Sequence, residues 1–204
     1  NLISPQDYHG NPSILIDREG FLHVFYGGHN KKMRYSRSSK PLSNDDWQDY
    51  TSRLPYTEST YPQLFVMSDG TIYSFYRRKT HRGNWSYVTS KDNGRTWSKE
   101  VHVLDGRSPP GNGWYTAFTK DPNRDHIHLM FLWHASKDNL PHSRRNLYYM
   151  HMDHSAGKWT SMKNEKLNTP LSFEEANGKV LIFDSKNQYS SIPQLWLTVD
   201  GRPV

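Results

Sequence analysis

The sequence predicts an all-β chain of four-stranded antiparallel blades, the architecture of a β-propeller. Three observations carry this: a recurring segment from Pro to Gly that reads as an apolar strand and a turn, a second short strand after three of the copies, and no sustained helical period. The copies are Pro12-Ser-Ile-Leu-Ile-Asp-Arg-Glu-Gly20, Pro62-Gln-Leu-Phe-Val-Met-Ser-Asp-Gly70 and Pro193-Gln-Leu-Trp-Leu-Thr-Val-Asp-Gly201, with Pro and Gly eight residues apart each time. A degenerate copy reads Tyr115-Thr-Ala-Phe-Thr-Lys-Asp-Pro-Asn-Arg-Asp125.

Each copy predicts a first strand followed by a turn rich in Asp and Gly. Second strands are predicted over Phe21–Tyr26, Thr71–Tyr76 and His126–Trp133. Third strands are predicted over Met33–Arg37, Trp85–Thr89 and Asn146–His151; the outer, fourth strands are less defined. Blade-like units starting near residues 12, 62, 116 and 193 make one domain over 1–204. Its last copy stops just after the turn, so the expectation is a partial propeller of about three blades and the start of another. A β-sandwich and a β-solenoid are the competing architectures for such short strands.

One turn is more specific. Ser90-Lys-Asp92-Asn-Gly94-Arg-Thr96-Trp97 has the Asp-box pattern S-x-D-x-G-x-T-W, and Asp153-His-Ser-Ala-Gly157-Lys-Trp159 is a looser version. Asp and Ser or Thr in such a turn bond its backbone, Gly supplies a positive φ, and Trp packs between strands. The expected role is structural.

Antiparallel pairing puts the start of a first strand and the end of the second on the same face of the fold. The starts carry His9, Asn11, Tyr61 and Tyr115; the ends carry His29, the pair Arg77 and Arg78, and His134. The Asp-box turns belong on the opposite face. Of Arg77 and Arg78, whose side chains alternate in direction, Arg77 is the one expected to serve the site. Small residues at Gly27 and Gly28 are expected to leave the backbone beside His29 open to a ligand. Trp114 and Trp133 read as packing residues.

Composition narrows the partner. With 13 Tyr, 7 Trp and aromatics at 14%, the chain is not the low-aromatic kind that stays disordered. A net charge of +6 favours a polyanion. The Lys and Arg are scattered rather than striped, which argues against nucleic acid. No run approaches the roughly 20 apolar residues of a membrane span, and no signal peptide is visible at the start. With no Cys, disulfides and thiolate metal sites are excluded.

The candidate residues His9, His29, Tyr61, Arg77 and Tyr115 include no carboxylate pair, which ordinary glycosidases require. They suit β-elimination from a uronic acid instead. An Arg fork offsets the uronate charge, so that the poorly acidic proton at C5 can be withdrawn. Tyr or His supplies the base and the acid that protonates departing O4.

The run from His9 through Gly27-Gly-His29, with Thr60-Tyr-Pro-Gln-Leu64, Phe75-Tyr-Arg77 and Trp114-Tyr115, resembles the BNR-repeat polysaccharide lyases, in particular the ulvan lyases with seven-bladed propellers. The two His lie 20 residues apart, and Tyr61 and Arg77 lie 16 apart. The resemblance implies Tyr61 as base and acid, with His9 and His29 orienting the sugar or sharing proton transfer. It implies Arg77 on the uronate, and Tyr115 and Asn11 as substrate contacts. It implies an acidic polysaccharide of sulfated rhamnose and uronic acid, cleaved outside the cell or in the periplasm. Some relatives hold a structural zinc through His and Cys. Here His81, His134, His142 and His151 form no tight metal motif, for zinc or for calcium, and read as solvated or packing residues. No cofactor is required for the chemistry. A sialidase-like hydrolase and a non-catalytic glycan-binding propeller are the rival functions.

Overall fold

The computed structural model describes residues 9–80, 82–107, 113–134, 143–186 and 188–204. The chain divides into two compact units. The first takes in Asn1–Thr80 and Trp85–His102, the second His81–Asn84 and Val103–Val204.

The first unit opens with β1 (Ser13–Ile16), β2 (Leu22–Tyr26), β3 (Lys31–Lys32), β4 (Arg34–Ser38) and β5 (Trp47–Asp49). It continues with β6 (Glu58–Val66), β7 (Ile72–Arg78), β8 (Trp85–Ser90) and β9 (Val101–Leu104), the last crossing the unit boundary. One sheet runs β1-β2-β4-β5 and another β3-β6-β7-β8-β9. Within these sheets β1, β2, β4 and β5 pair antiparallel in turn, and so do β6, β7 and β8, as short connections between neighbouring strands require. Their facing sides share one core of Phe25, Met33, Tyr35, Tyr50, Leu54, Tyr56, Leu64, Tyr76 and Val88. Aromatics fill it because ring faces and edges pack tightly against one another: Phe25 stacks on Tyr35 at 4.4 Å and Tyr56 on Tyr76 at 3.8 Å.

The second unit holds β10 (Gly113–Lys120), β11 (His126–His134), β12 (Arg144–Asp153) and β13 (Lys158–Ser161), then α1 (Phe173–Lys179) and β14 (Leu181–Phe183). Its sheet runs β10-β11-β12-β13, with β14 also on β12. Trp114, Phe131 and Tyr148 form its aromatic core, and Phe173 of α1 covers Trp133 at 4.3 Å. Trp114 and Trp133 are thus packing residues, both buried.

The helix α1 departs from the all-β expectation. It is seven residues long and buries only Ala176, so it leaves no period to read. A capping box starts it: Ser172 accepts from Glu175 N–H, and the Glu175 carboxylate accepts from Ser172 N–H.

The repeated Pro-to-Gly turns close alike, with Gly20 N–H donating to Asp17 O, Gly70 to Met67 O and Gly201 to Thr198 O at 2.9–3.0 Å. In the last copy the turn sits on a two-ended backbone bridge between Trp196 and Val204. Blade-type meanders recur through both units, so the fold is a β-propeller built of antiparallel blades. Among the described residues, no helix is long and apolar enough to cross a membrane.

Candidate functional site

In the first unit, four of the sequence candidates meet. His9 stacks on His29 with ring centroids 4.2 Å apart and planes 17° apart. Tyr61 lies 6.2 Å from His9 and 6.4 Å from Trp85, the latter nearly parallel. The Arg77 guanidinium sits 5.0 Å from the Tyr61 ring centroid. His9 and Asn11 are exposed, His29 and Tyr61 half-buried, and Arg77 buried.

The strands explain the meeting. Pairing of β6 with β7 sets Thr60 opposite Arg77, and pairing of β7 with β8 sets Arg77 opposite Trp85. Between Thr60 and Gln63 the register slips at a β-bulge, and Tyr61 there takes φ 57°. A bulky residue in the left-handed region costs about 1–3 kcal/mol. Pro62 fixes its own φ and removes a ladder donor, so the bulge falls where the sequence permits it. Its effect is to turn the Tyr61 ring toward Arg77 and His9.

His29 is held from the same strand. Asn30 N–H donates to Thr60 Oγ1 at 3.0 Å, and Thr60 Oγ1 donates to Asn30 Oδ1 at 3.3 Å. Gly28 is buried, and a Cβ there would lie 2.5 Å from Ser59 O and 2.7 Å from Met33 Cε. The glycine is therefore needed for close packing of two strands. The expectation that it opens the backbone to a ligand does not hold.

Of the Arg pair, Arg77 points inward at 2% exposure, while Arg78 reaches out to pair with Glu100. Tyr76 on the same strand donates its hydroxyl to Glu100 Oε1 at 3.0 Å. Burial pushes the Tyr76 phenol well above its ordinary value, so it is a structural donor at neutral pH.

Tyr115 belongs to the second unit. There the Arg144 guanidinium lies 4.1 Å from its ring centroid, and His134 meets it edge-on at 5.5 Å. Arg144, Trp85 and the Asn30–Thr60 pair escaped sequence reasoning. Trp85 alone carried a legible signal, as the first residue of a predicted third strand; Arg144 lies two residues before the start predicted for the next one.

Three of the remaining histidines lie together in the second unit: His126, His128 and His151, with ring centroids 5.9–6.5 Å apart. His81 and His142 lie outside the described residues. His151 stacks near His128 at 5.9 Å and its Nε2 lies 3.0 Å from Thr160 Oγ1. Among the described residues no group of three or more His, Asp or Glu is arranged to hold a metal.

The Ser90–Trp97 turn plays the structural part expected of it. Ser90 Oγ donates to Asp92 Oδ1, and Thr96 donates to Asp92 through both N–H and Oγ1, at 2.6–2.8 Å. Gly94 has φ 76°, and a Cβ there would strike the Tyr35 hydroxyl of the first sheet. Trp97 meets Phe25 and Tyr35 edge-on at 5.7 and 5.9 Å.

Known proteins resemble this chain over nearly its whole length. An ulvan lyase of Nonlabens ulvanivorans is 31% identical over 97% of this chain and 47% of its own. A solved polysaccharide lyase, PL25-Ulvanlyase, superposes with TM-score 0.86 at 28% identity, over 97% of this chain and 50% of that one. The same enzyme bound to -[GlcA(1-4)Rha3S]- superposes with TM-score 0.86 at 27% identity, over the same shares. The chain spans about half the length of the relatives it matches. A family model covers residues 2–204, and the chain belongs to the BNR repeat-containing family.

Proposed function

We propose that the protein is a polysaccharide lyase cleaving an ulvan-like polymer of uronate and sulfated rhamnose by β-elimination. The observation that carries this is the bulge that turns Tyr61 toward a buried Arg77, beside the stacked pair His9 and His29. These are cation, phenol and imidazoles, not the carboxylate pair of an ordinary glycosidase.

In this reading the Arg77 fork binds the uronate carboxylate and offsets the charge that grows as the C5 proton leaves. Burial strengthens that effect, because less water screens the cation. The Tyr61 phenolate oxygen takes the C5 proton. The C5–H electron pair forms the C4–C5 double bond, the C4–O4 bond breaks, and the phenol returns its proton to O4. His9 and His29 offer ring nitrogens to sugar hydroxyls or share the proton transfer. Tyr115 contacts substrate, and exposed Asn11 does the same beside His9. A polymer of this size is met outside the cytoplasm, so a secreted or periplasmic protein fits the reading.

Incubation with ulvan tests it, following the ultraviolet absorbance of the unsaturated uronate and, in parallel, new reducing ends. Elimination raises both together. Reducing ends without the absorbance would mean hydrolysis, and polymer retained without either would mean a binding module. An unchanged rate in Tyr61→Phe would remove Tyr61 as the base.

A further inference from the structure

We infer that the second unit holds a separate site for a sulfate ester, with Arg144 as its anion-binding residue and Tyr115 as its platform. The inference rests on the proposed substrate, in which carboxylate and sulfate alternate along the chain. Arg77 accounts for the carboxylate; the sulfate needs a cation of its own.

Arg144 has the required features. Its guanidinium lies 4.1 Å from the Tyr115 ring centroid, which uses its π-face and leaves the N–H edge for an anion. It is half-buried, and among the described residues its Nε is buried without a hydrogen-bond partner. The backbone beneath it is pinned from both sides. Arg144 is opposite His134 in the β11–β12 register, and Arg144 O accepts from Ser190 N–H at 2.7 Å. A cation held this way loses little freedom on binding.

The surroundings match a sulfated deoxy sugar. His134 stands edge-on to Tyr115 at 5.5 Å, and the next residue, Arg145, lies 5.2 Å from the ring centroid of half-exposed Tyr189. Successive strand residues face opposite ways, so the Arg145–Tyr189 pair belongs to the other side of β12, and Arg144, Tyr115 and His134 make up the patch on this side. Such a patch suits a tetrahedral anion on a sugar whose methyl group packs on a ring. A sulfate ester stays charged throughout the working pH range, so a permanently charged Arg is its natural partner.

The test is equilibrium binding in a Tyr61→Phe background, using native, desulfated and carboxyl-reduced ulvan. Arg144→Ala is expected to weaken native and carboxyl-reduced polymer about tenfold and to change desulfated polymer by no more than about twofold. Arg144→Gln, which keeps much of the stem, should give the same pattern if the fold is intact by circular dichroism. Equal loss on all three polymers, or no loss on any, overturns the inference. The readout needs no turnover. A protein that forms no unsaturated product yet shows the sulfate-dependent loss keeps this site and loses the lyase reading.

Discussion

Arg77 and Tyr61 test the chemistry one side chain at a time. Arg77→Lys keeps the charge but replaces a planar fork with a point cation, and kcat/KM on ulvan should fall about 100-fold. Tyr61→Phe keeps the ring over Arg77 and removes only the oxygen, so kcat should fall at least about 100-fold with little change in KM. Steady-state kinetics on both variants check this; a rise in KM alone would make them binding residues. A third residue speaks to stability. Burial, then nearby His151, pull His128 down to about 4 from 6.5. The folded state thus prefers the neutral ring, and the unfolded chain takes the proton first. Stability is present above pH 6.5 and is lost as pH falls toward 4, by at most about 3 kcal/mol. The thermal midpoint should drop across that window, and less so in His128→Gln; an equal drop would put the effect elsewhere. Among these residues, the repeat made His9, His29, Tyr61 and Arg77 legible. The left-handed backbone of Tyr61 was not, because no residue type announces a bulge that sequence-distant pairing creates.

At the level of elements, turns carry more information than strands. The Ser90–Trp97 turn could be read from its pattern because its hydrogen bonds are local. What it packs against could not: Gly94 abuts Tyr35, 59 positions away in sequence. Gly94→Ala should cost about 3 kcal/mol in denaturant unfolding, from the positive φ and the blocked Tyr35 hydroxyl together. A loss under about 1 kcal/mol would show that Tyr35 yields freely. Gly28 is the reverse case. Its residue type suggested an open backbone, whereas Ser59 O and Met33 Cε fill the space. The helix α1 was invisible because about two turns with one buried residue show no period.

Across the whole molecule the repeat reaches beyond the Pro-to-Gly turn. In the first unit His23 Nδ1 lies 2.7 Å from the Tyr35 hydroxyl and its Nε2 lies 2.9 Å from Asp17 Oδ2, all three groups buried. In the second, His128 Nδ1 lies 2.5 Å from the Tyr149 hydroxyl and its Nε2 lies 3.8 Å from Asp121 Oδ2. Burial lowers both histidines and raises both tyrosines, Tyr149 to about 12. The two networks occupy equivalent positions of their sheets, while the intervening sheet has Met67, Tyr73 and Tyr87 there. Both His23 nitrogens are bonded, whereas His128 Nε2 is buried with no hydrogen-bond partner among the described residues; such buried polar networks specify a core rather than a reaction. The candidate cluster of the first unit lies at the ends of strands, where the bulge at Tyr61 breaks the regular ladder. In the proposed mechanism its role reduces to one requirement, a carboxylate on the sugar for Arg77 to hold. The most direct measurement is cleavage of native against carboxyl-reduced ulvan, with unsaturated product and reducing ends followed together. Elimination predicts both signals from the native polymer and neither from the reduced one. Cleavage of the carboxyl-reduced polymer at a comparable rate would contradict it.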